Sequence, residues 1–176
     1  VLLLNMNNYR LFMMQKKVCM LGAFAVGKTS LISRYVHSMF SDKYQTTVGV
    51  KIDKKVVSVG EHDMTLILWD VYGEDDFMKL RMSYLRGAAG YFLVADGTRK
   101  ETLDVAEDLK ARVTDSLGDV PFILLLNKAD LQDNWQVDAA AIKRLQEQGW
   151  IVIQTSAKTG DEVEAAFECL VKEMMA

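Results

Sequence analysis

Cysteine is scarce in this chain: Cys19 and Cys169 are the two present, each inside an apolar pattern. That excludes a disulfide framework or a cysteine-built metal cluster and points to a reducing, cytosolic compartment. Lys and Arg form no stripe, and with a net charge of −3 there is no electrostatic footprint for nucleic acid. No apolar run reaches membrane-spanning length; the patch at residues 1–4 is too short and has no basic region before it. His37 and His62 lack partners at ligand spacing, and neither internal repeats nor low-complexity segments occur. What remains is 176 residues, half of them apolar and 26% charged, the profile of one soluble globular domain. The first residue is Val, and residues 1–13 read as an extension or tag remnant before a domain at 14–176, with Met13 or Met14 a candidate native start. The methionines near both ends read as gap fillers or terminal residues.

Short apolar runs alternate with helical patterns. Strands are expected at residues 16–21, 48–59, 64–70, 91–95, 122–126 and 151–153, with a hairpin turn at Gly60-Glu61-His62-Asp63. The last three runs are continuous, as in central strands buried on both faces. Helices are expected at residues 29–38, along Val105, Leu109, Val113 and Leu117, and along Val163, Phe167, Leu170 and Val171. Thr98-x-x-Glu101 and Thr159-x-x-Glu162 match capping boxes at helix starts. This order predicts an α/β fold: a mostly parallel six-stranded sheet with one antiparallel hairpin and helices on both faces. Ligands bind such sheets beyond the carboxyl ends of the strands.

Gly22-Ala23-Phe24-Ala25-Val26-Gly27-Lys28-Thr29 fits GxxxxGK[ST] and stands between a strand and a helix, the context a phosphate-cradling loop needs. Backbone N–H groups and the positive helix end then face one anion, Lys28 reaches the terminal phosphates, and the Thr29 hydroxyl can ligate a bridging magnesium ion. Asn127-Lys128-Ala129-Asp130 follows the fifth strand. The Asp130 carboxylate can accept from an N–H and an NH₂ side by side, an edge that guanine offers and adenine does not. The Lys128 stem can lie across the base, and Ser156-Ala157-Lys158 would turn a backbone N–H toward the base carbonyl.

With these motifs in this order, the chain resembles the Ras-like small GTPases over about residues 14–176. Tyr44-Gln45-Thr46-Thr47-Val48-Gly49-Val50 is similar to the Rab pattern YxxT[IV]GV, Trp69-Asp70 opens the second switch, and Tyr84-Leu85-Arg86-Gly87-Ala88-Ala89-Gly90 resembles the Rab YYRGAAG stretch. The resemblance implies a single-domain P-loop NTPase fold that binds GTP or GDP with magnesium. It implies nucleotide contacts from Ala23, Phe24, Ala25, Val26, Gly27, Lys28, Thr29, Ser30, Phe40, Tyr44, Thr47, Gly73, Asn127, Lys128, Asp130, Leu131, Ser156, Ala157 and Lys158. Thr29, Thr47 and Asp70 would hold the metal. Lys28, Thr47 and the residue at Glu74 would serve hydrolysis, and protein effectors and regulators would read residues 39–50 and 71–86.

Three positions depart from the family. Glu74 stands where a Gln usually orients the attacking water, and an ionised Glu cannot donate a hydrogen bond. Tyr72 replaces Ala or Gly, and Phe24 occupies a loop position often held by a small residue. The sequence ends at Ala176 with no lipidation motif, so a membrane anchor is not expected. Two functions stay open: a GTP-hydrolysing switch with slow turnover, and a scaffold that holds guanine nucleotide without turnover. An ATP-dependent enzyme is disfavoured by Asp130.

Overall fold

A computed structural model describes residues 14–41, 43, 49–60, 62–71 and 82–176. The chain order is β1 (Met14–Gly22), α1 (Lys28–His37), β2 (Val50–Val59), β3 (His62–Val71), β4 (Gly90–Asp96), α2 (Glu101–Leu117), β5 (Phe122–Asn127), α3 (Ala139–Glu147), β6 (Val152–Gln154) and α4 (Val163–Met175). The six strands form one sheet in the order β2-β3-β1-β4-β5-β6. Among the described residues only β2 and β3 run antiparallel, paired from Val50↔Val71 to Val59↔His62; His62 and Asp63, expected in the hairpin turn, already belong to β3.

Alternation along the central strands sorts their side chains into two cores. Val18 and Met20 of β1 and Phe92 and Val94 of β4 face α1 and α4, meeting Leu31, Ile32, Phe167 and Leu170. Cys19, Leu21, Tyr91 and Leu93 point the other way, toward Leu103, Leu109 and Val113 of α2 and Leu145 of α3. Both faces are therefore covered, and all of β4 is buried. Phe167 stacks on Tyr35 at 3.7 Å between centroids and meets Phe92 at 4.7 Å, which locks α4 against α1 and the sheet. Removing such a ring typically costs about 3–5 kcal/mol.

Strand β1 pairs in parallel with β3 on one side and β4 on the other. The chain thus leaves β1 where strand order reverses, the point at which open α/β sheets take their ligands. Close packing continues at Gly22, where a Cβ would lie 2.2 Å from the Val94 carbonyl oxygen.

Several local expectations are corrected. Neither capping box forms. Helix α2 starts at Glu101 after Lys100, and the Thr98 hydroxyl donates instead to Asp96 Oδ1 at 2.7 Å. Thr159 Oγ1 accepts from the Asp161 N–H at 3.3 Å, while Glu162 precedes α4 in a left-handed conformation. Strand β6 begins one residue later than expected and is half-buried, because it closes the sheet edge rather than lying within it. Helix α3 was not anticipated: its apolar stripe is sparse. Its signal was Asp138, whose side chain accepts from the Ala141 N–H at 2.7 Å as an N-cap.

Candidate nucleotide site

Five strand ends deliver polar groups to one edge of the sheet. The phosphate loop leaves β1 and enters α1 through Gly27, at φ 101°, with Ala25 also left-handed at φ 60°. A Cβ on Gly27 would fall 2.3 Å from Asn127 Nδ2, so glycine is required there on two counts. Helix α1 opens with no side-chain cap and no acidic residue in its first turn. A helix N-terminus of this kind presents backbone N–H groups and a positive dipole end, which suit an anion.

Lys28 is 7% exposed and folds back so that Nζ donates to the Gly22 and Ala23 carbonyls, both at 2.9 Å. Burial lowers its pKa from 10.5 to about 8, against the pull of the Asp70 carboxylate and with the Arg99 charge adding to the effect. A buried cation of this kind gains most from an arriving phosphate. Thr29 Oγ1 donates to Asp70 Oδ2 at 2.5 Å, bringing together two of the three expected metal ligands. A hydroxyl and a carboxylate are hard oxygen donors suited to magnesium, which takes few protein ligands and keeps water and phosphate oxygens. Among the described residues no three His, Cys, Asp or Glu converge in a metal cage.

The base segment is tied to the loop. Asn127 Nδ2 donates to the Val26 carbonyl at 3.0 Å, and its Oδ1 accepts from the Ala157 N–H at 3.2 Å. Asp130 is exposed, and its Oδ1 accepts from the buried Ser156 hydroxyl at 2.6 Å, which leaves the carboxylate oriented and reachable. Ser156 N–H donates to the Asp161 carbonyl at 3.1 Å, so of Ser156 the side chain is the group aimed at Asp130. Lys128 adopts φ 70°, and its Nζ meets Asp96 Oδ2 at 2.6 Å. Leu131 is exposed beside this segment, its N–H donating to the Lys128 carbonyl at 2.9 Å. Phe40 packs against the α1/α4 core, and Ser30 follows Thr29 in the first turn of α1. Tyr44, Thr47, Tyr72, Gly73 and Glu74 lie outside the described residues.

Four residues not expected from sequence hold this edge together. Asp96, 1% exposed at the end of β4, accepts from Lys128, Arg99 and Thr98. Arg99 Nη2 also donates to the Phe24 carbonyl at 2.8 Å. Arg34 of α1 donates to the Ala157 carbonyl at 2.8 Å and to that of Lys158 at 2.5 Å, clasping the segment after β6. Thr155 Oγ1 donates to Asn127 Oδ1 at 3.4 Å. A carboxylate closing the apolar run of β4 was a readable signal for Asp96; Arg34 carried none.

The six-stranded sheet and the loop at its switch point define a P-loop α/β domain. The chain belongs to the Ras family, whose model matches residues 17–176. It is similar to human Ras-related protein Rab-7b, 32% identical over 163 residues that cover 90% of this chain and 82% of that protein. Rab-2B of Dictyostelium discoideum is 33% identical over 164 residues (90% and 80%), and rat Rab-7L1 is 36% identical over 169 residues (90% and 81%). The chain is thus a Rab-like small GTPase, a GTP-binding switch by family.

Burial alone would raise the Asp96 pKa, but hydrogen bonds from Lys128 and Thr98 and the Lys128 charge bring it below 3.8. The stability this group contributes is therefore complete above pH 3.8 and is lost as pH falls through its lower folded value. Asp96→Asn should unfold more easily in urea at pH 7, by about 2 kcal/mol. Its deficit relative to wild type should shrink at pH 3 and below; a constant deficit would contradict the assignment.

Proposed function

We propose that this chain is a magnesium-dependent guanine-nucleotide switch that hydrolyses GTP slowly, in a domain spanning residues 14–176. The observation that carries this reading is the phosphate loop itself: buried Lys28 folded over its carbonyls, with Thr29 against Asp70 beside it. Thr29, Asp70 and, from its place in the sequence, Thr47 would hold magnesium, which would neutralise charge on the terminal phosphates. Lys28 and the start of α1 bind the phosphates; Asp130, oriented by Ser156, selects the base; the Lys128 stem supports its plane. Thr47 and Gly73 would gain contacts only with a third phosphate present, so that the segments at 39–50 and 71–86 differ between the two nucleotide states and partners can read them.

Slow turnover follows from three residues. An ionised Glu74 would bring negative charge toward an anionic phosphate and would have no proton to donate to the transition state. Tyr72 places bulk where the family has a small residue. Phe24 puts a ring in the phosphate loop, in the path of an activator's arginine finger, a group worth roughly 10³–10⁵ in rate. The same three residues favour the second reading, a scaffold that holds nucleotide without turnover.

Single-turnover hydrolysis separates the two. Glu74→Gln should hydrolyse GTP about tenfold faster than wild type or more; wild-type turnover equal to or above that of the variant would overturn the electrostatic account, and no turnover in either would favour the scaffold. For base selection, Asp130→Asn should weaken guanine-nucleotide binding by roughly 10²-fold or more and gain affinity for xanthine nucleotides. An unchanged guanine-to-xanthine preference in competition binding would remove Asp130 from the base site.

A further inference from the structure

Arg99 stands just before α2, and its guanidinium serves two acceptors with two different N–H groups. Nε donates to Asp96 Oδ2 at 3.1 Å, and Nη2 donates to the Phe24 carbonyl at 2.8 Å. The first acceptor is a buried carboxylate; the second is the backbone of the phosphate loop beside the left-handed Ala25. Asp96 Oδ2 also receives Lys128 Nζ at 2.6 Å, while Oδ1 receives the Thr98 N–H at 2.9 Å and its hydroxyl at 2.7 Å. One carboxylate therefore anchors both the lysine of the base segment and the arginine that grips the loop.

We propose that Arg99 is a nucleotide-positioning residue, joining the phosphate loop at Phe24 to the base-segment Lys128 through the shared carboxylate of Asp96. This rests on the reading of the site as a guanine-nucleotide site. In that reading Phe24 and Lys128 belong to the segments that contact the ligand, whereas Asp96 and Arg99 do not. Arg99 acts through the loop backbone and through the position of the lysine. Without it, the loop loses a charge-assisted tether at Phe24, and Lys128 becomes the one remaining cation on Asp96. Asp96 itself keeps Lys128 and Thr98, and the Arg99 side chain is 37% exposed, so its truncation leaves no buried carboxylate stranded. The planar fork matters as much as the charge. A lysine ammonium is a single point at the end of a flexible stem and cannot reproduce two divergent N–H directions.

Dissociation of a fluorescent GDP from the magnesium-loaded full chain tests this, with Arg99→Ala, Arg99→Lys, Lys128→Ala and the Arg99→Ala/Lys128→Ala double variant. Arg99→Ala should release nucleotide roughly tenfold faster, the scale of one charge-assisted hydrogen bond. Arg99→Lys should remain within about twofold of Arg99→Ala, because charge without the fork does not rebuild both contacts. The double variant should accelerate release by clearly less than the product of the two single effects, since both side chains act through Asp96. A wild-type rate for Arg99→Ala, a wild-type rate restored by Arg99→Lys, or single effects that simply multiply would each overturn the proposal. If wild type itself retains no GDP, the reading beneath the proposal fails, and the proposal with it; that outcome is distinct because it appears before any variant is made.

Discussion

The carboxamide of Asn127 lies at the junction of three strand ends. Its NH₂ donates to the Val26 carbonyl of the phosphate loop, and its oxygen accepts from the Ala157 N–H of the segment after β6. The side chain is 2% exposed, so each of these bonds replaces solvation that the group has lost. Its closeness also dictates glycine at position 27, since a Cβ there would collide with the amide nitrogen at 2.3 Å. The loop expected to meet phosphate and the segments expected to meet the base are consequently not independent parts. They share a buried polar network, and displacing one member leaves unpaired groups in the others.

Charge is distributed along the same edge with a consistent logic. Lys28 is buried among carbonyls, and Asp96 is buried among cations and a hydroxyl. Each charge has partners, as burial demands. The two arrangements differ in what they leave unsatisfied. Asp96 has donors on both of its oxygens, which suits a fixed joint. Among the described residues Lys28 has carbonyl acceptors from the loop and the attraction of Asp70 to support its charge, which leaves its pKa lowered by burial to about 8. Arg34 adds a second clasp on the far side, from α1 to the carbonyls of Ala157 and Lys158. Helix α1, expected to face the phosphates, thus also holds the segment expected beside the base.

Local patterns carried most of the fold. Continuous apolar runs at 91–95 and 122–126 became the buried strands β4 and β5, and the helix expected at 29–38 became α1, with Leu31, Ile32 and Tyr35 buried and Val36 partly so. The same reasoning failed where tertiary context competes with local chemistry. Thr98 had the spacing of a capping box, but Asp96 offered its hydroxyl a stronger, charged acceptor. Helix α3 carries too little apolar surface to announce itself by periodicity, although Asp138 caps it. In the candidate site, motif spacing singles out Lys28, Thr29, Asn127 and Asp130, and the structure places them along one sheet edge. The Arg99–Phe24 and Arg34–Ala157 contacts were not legible in the sequence, because they join positions 75 and 123 residues apart and depend on how strand ends meet.

The proposed switch requires one ligand class at this edge: a guanine nucleotide with its phosphates on the loop at β1. The most direct test is to purify the full chain without added nucleotide, denature it, and identify what it carried by chromatography, then follow that ligand during incubation of the native protein with magnesium. The account predicts guanine nucleotide close to one per chain, with any GTP converting to GDP slowly. An adenine nucleotide in its place, or an empty chain that also takes up no GTP or GDP when supplied with magnesium, would contradict it.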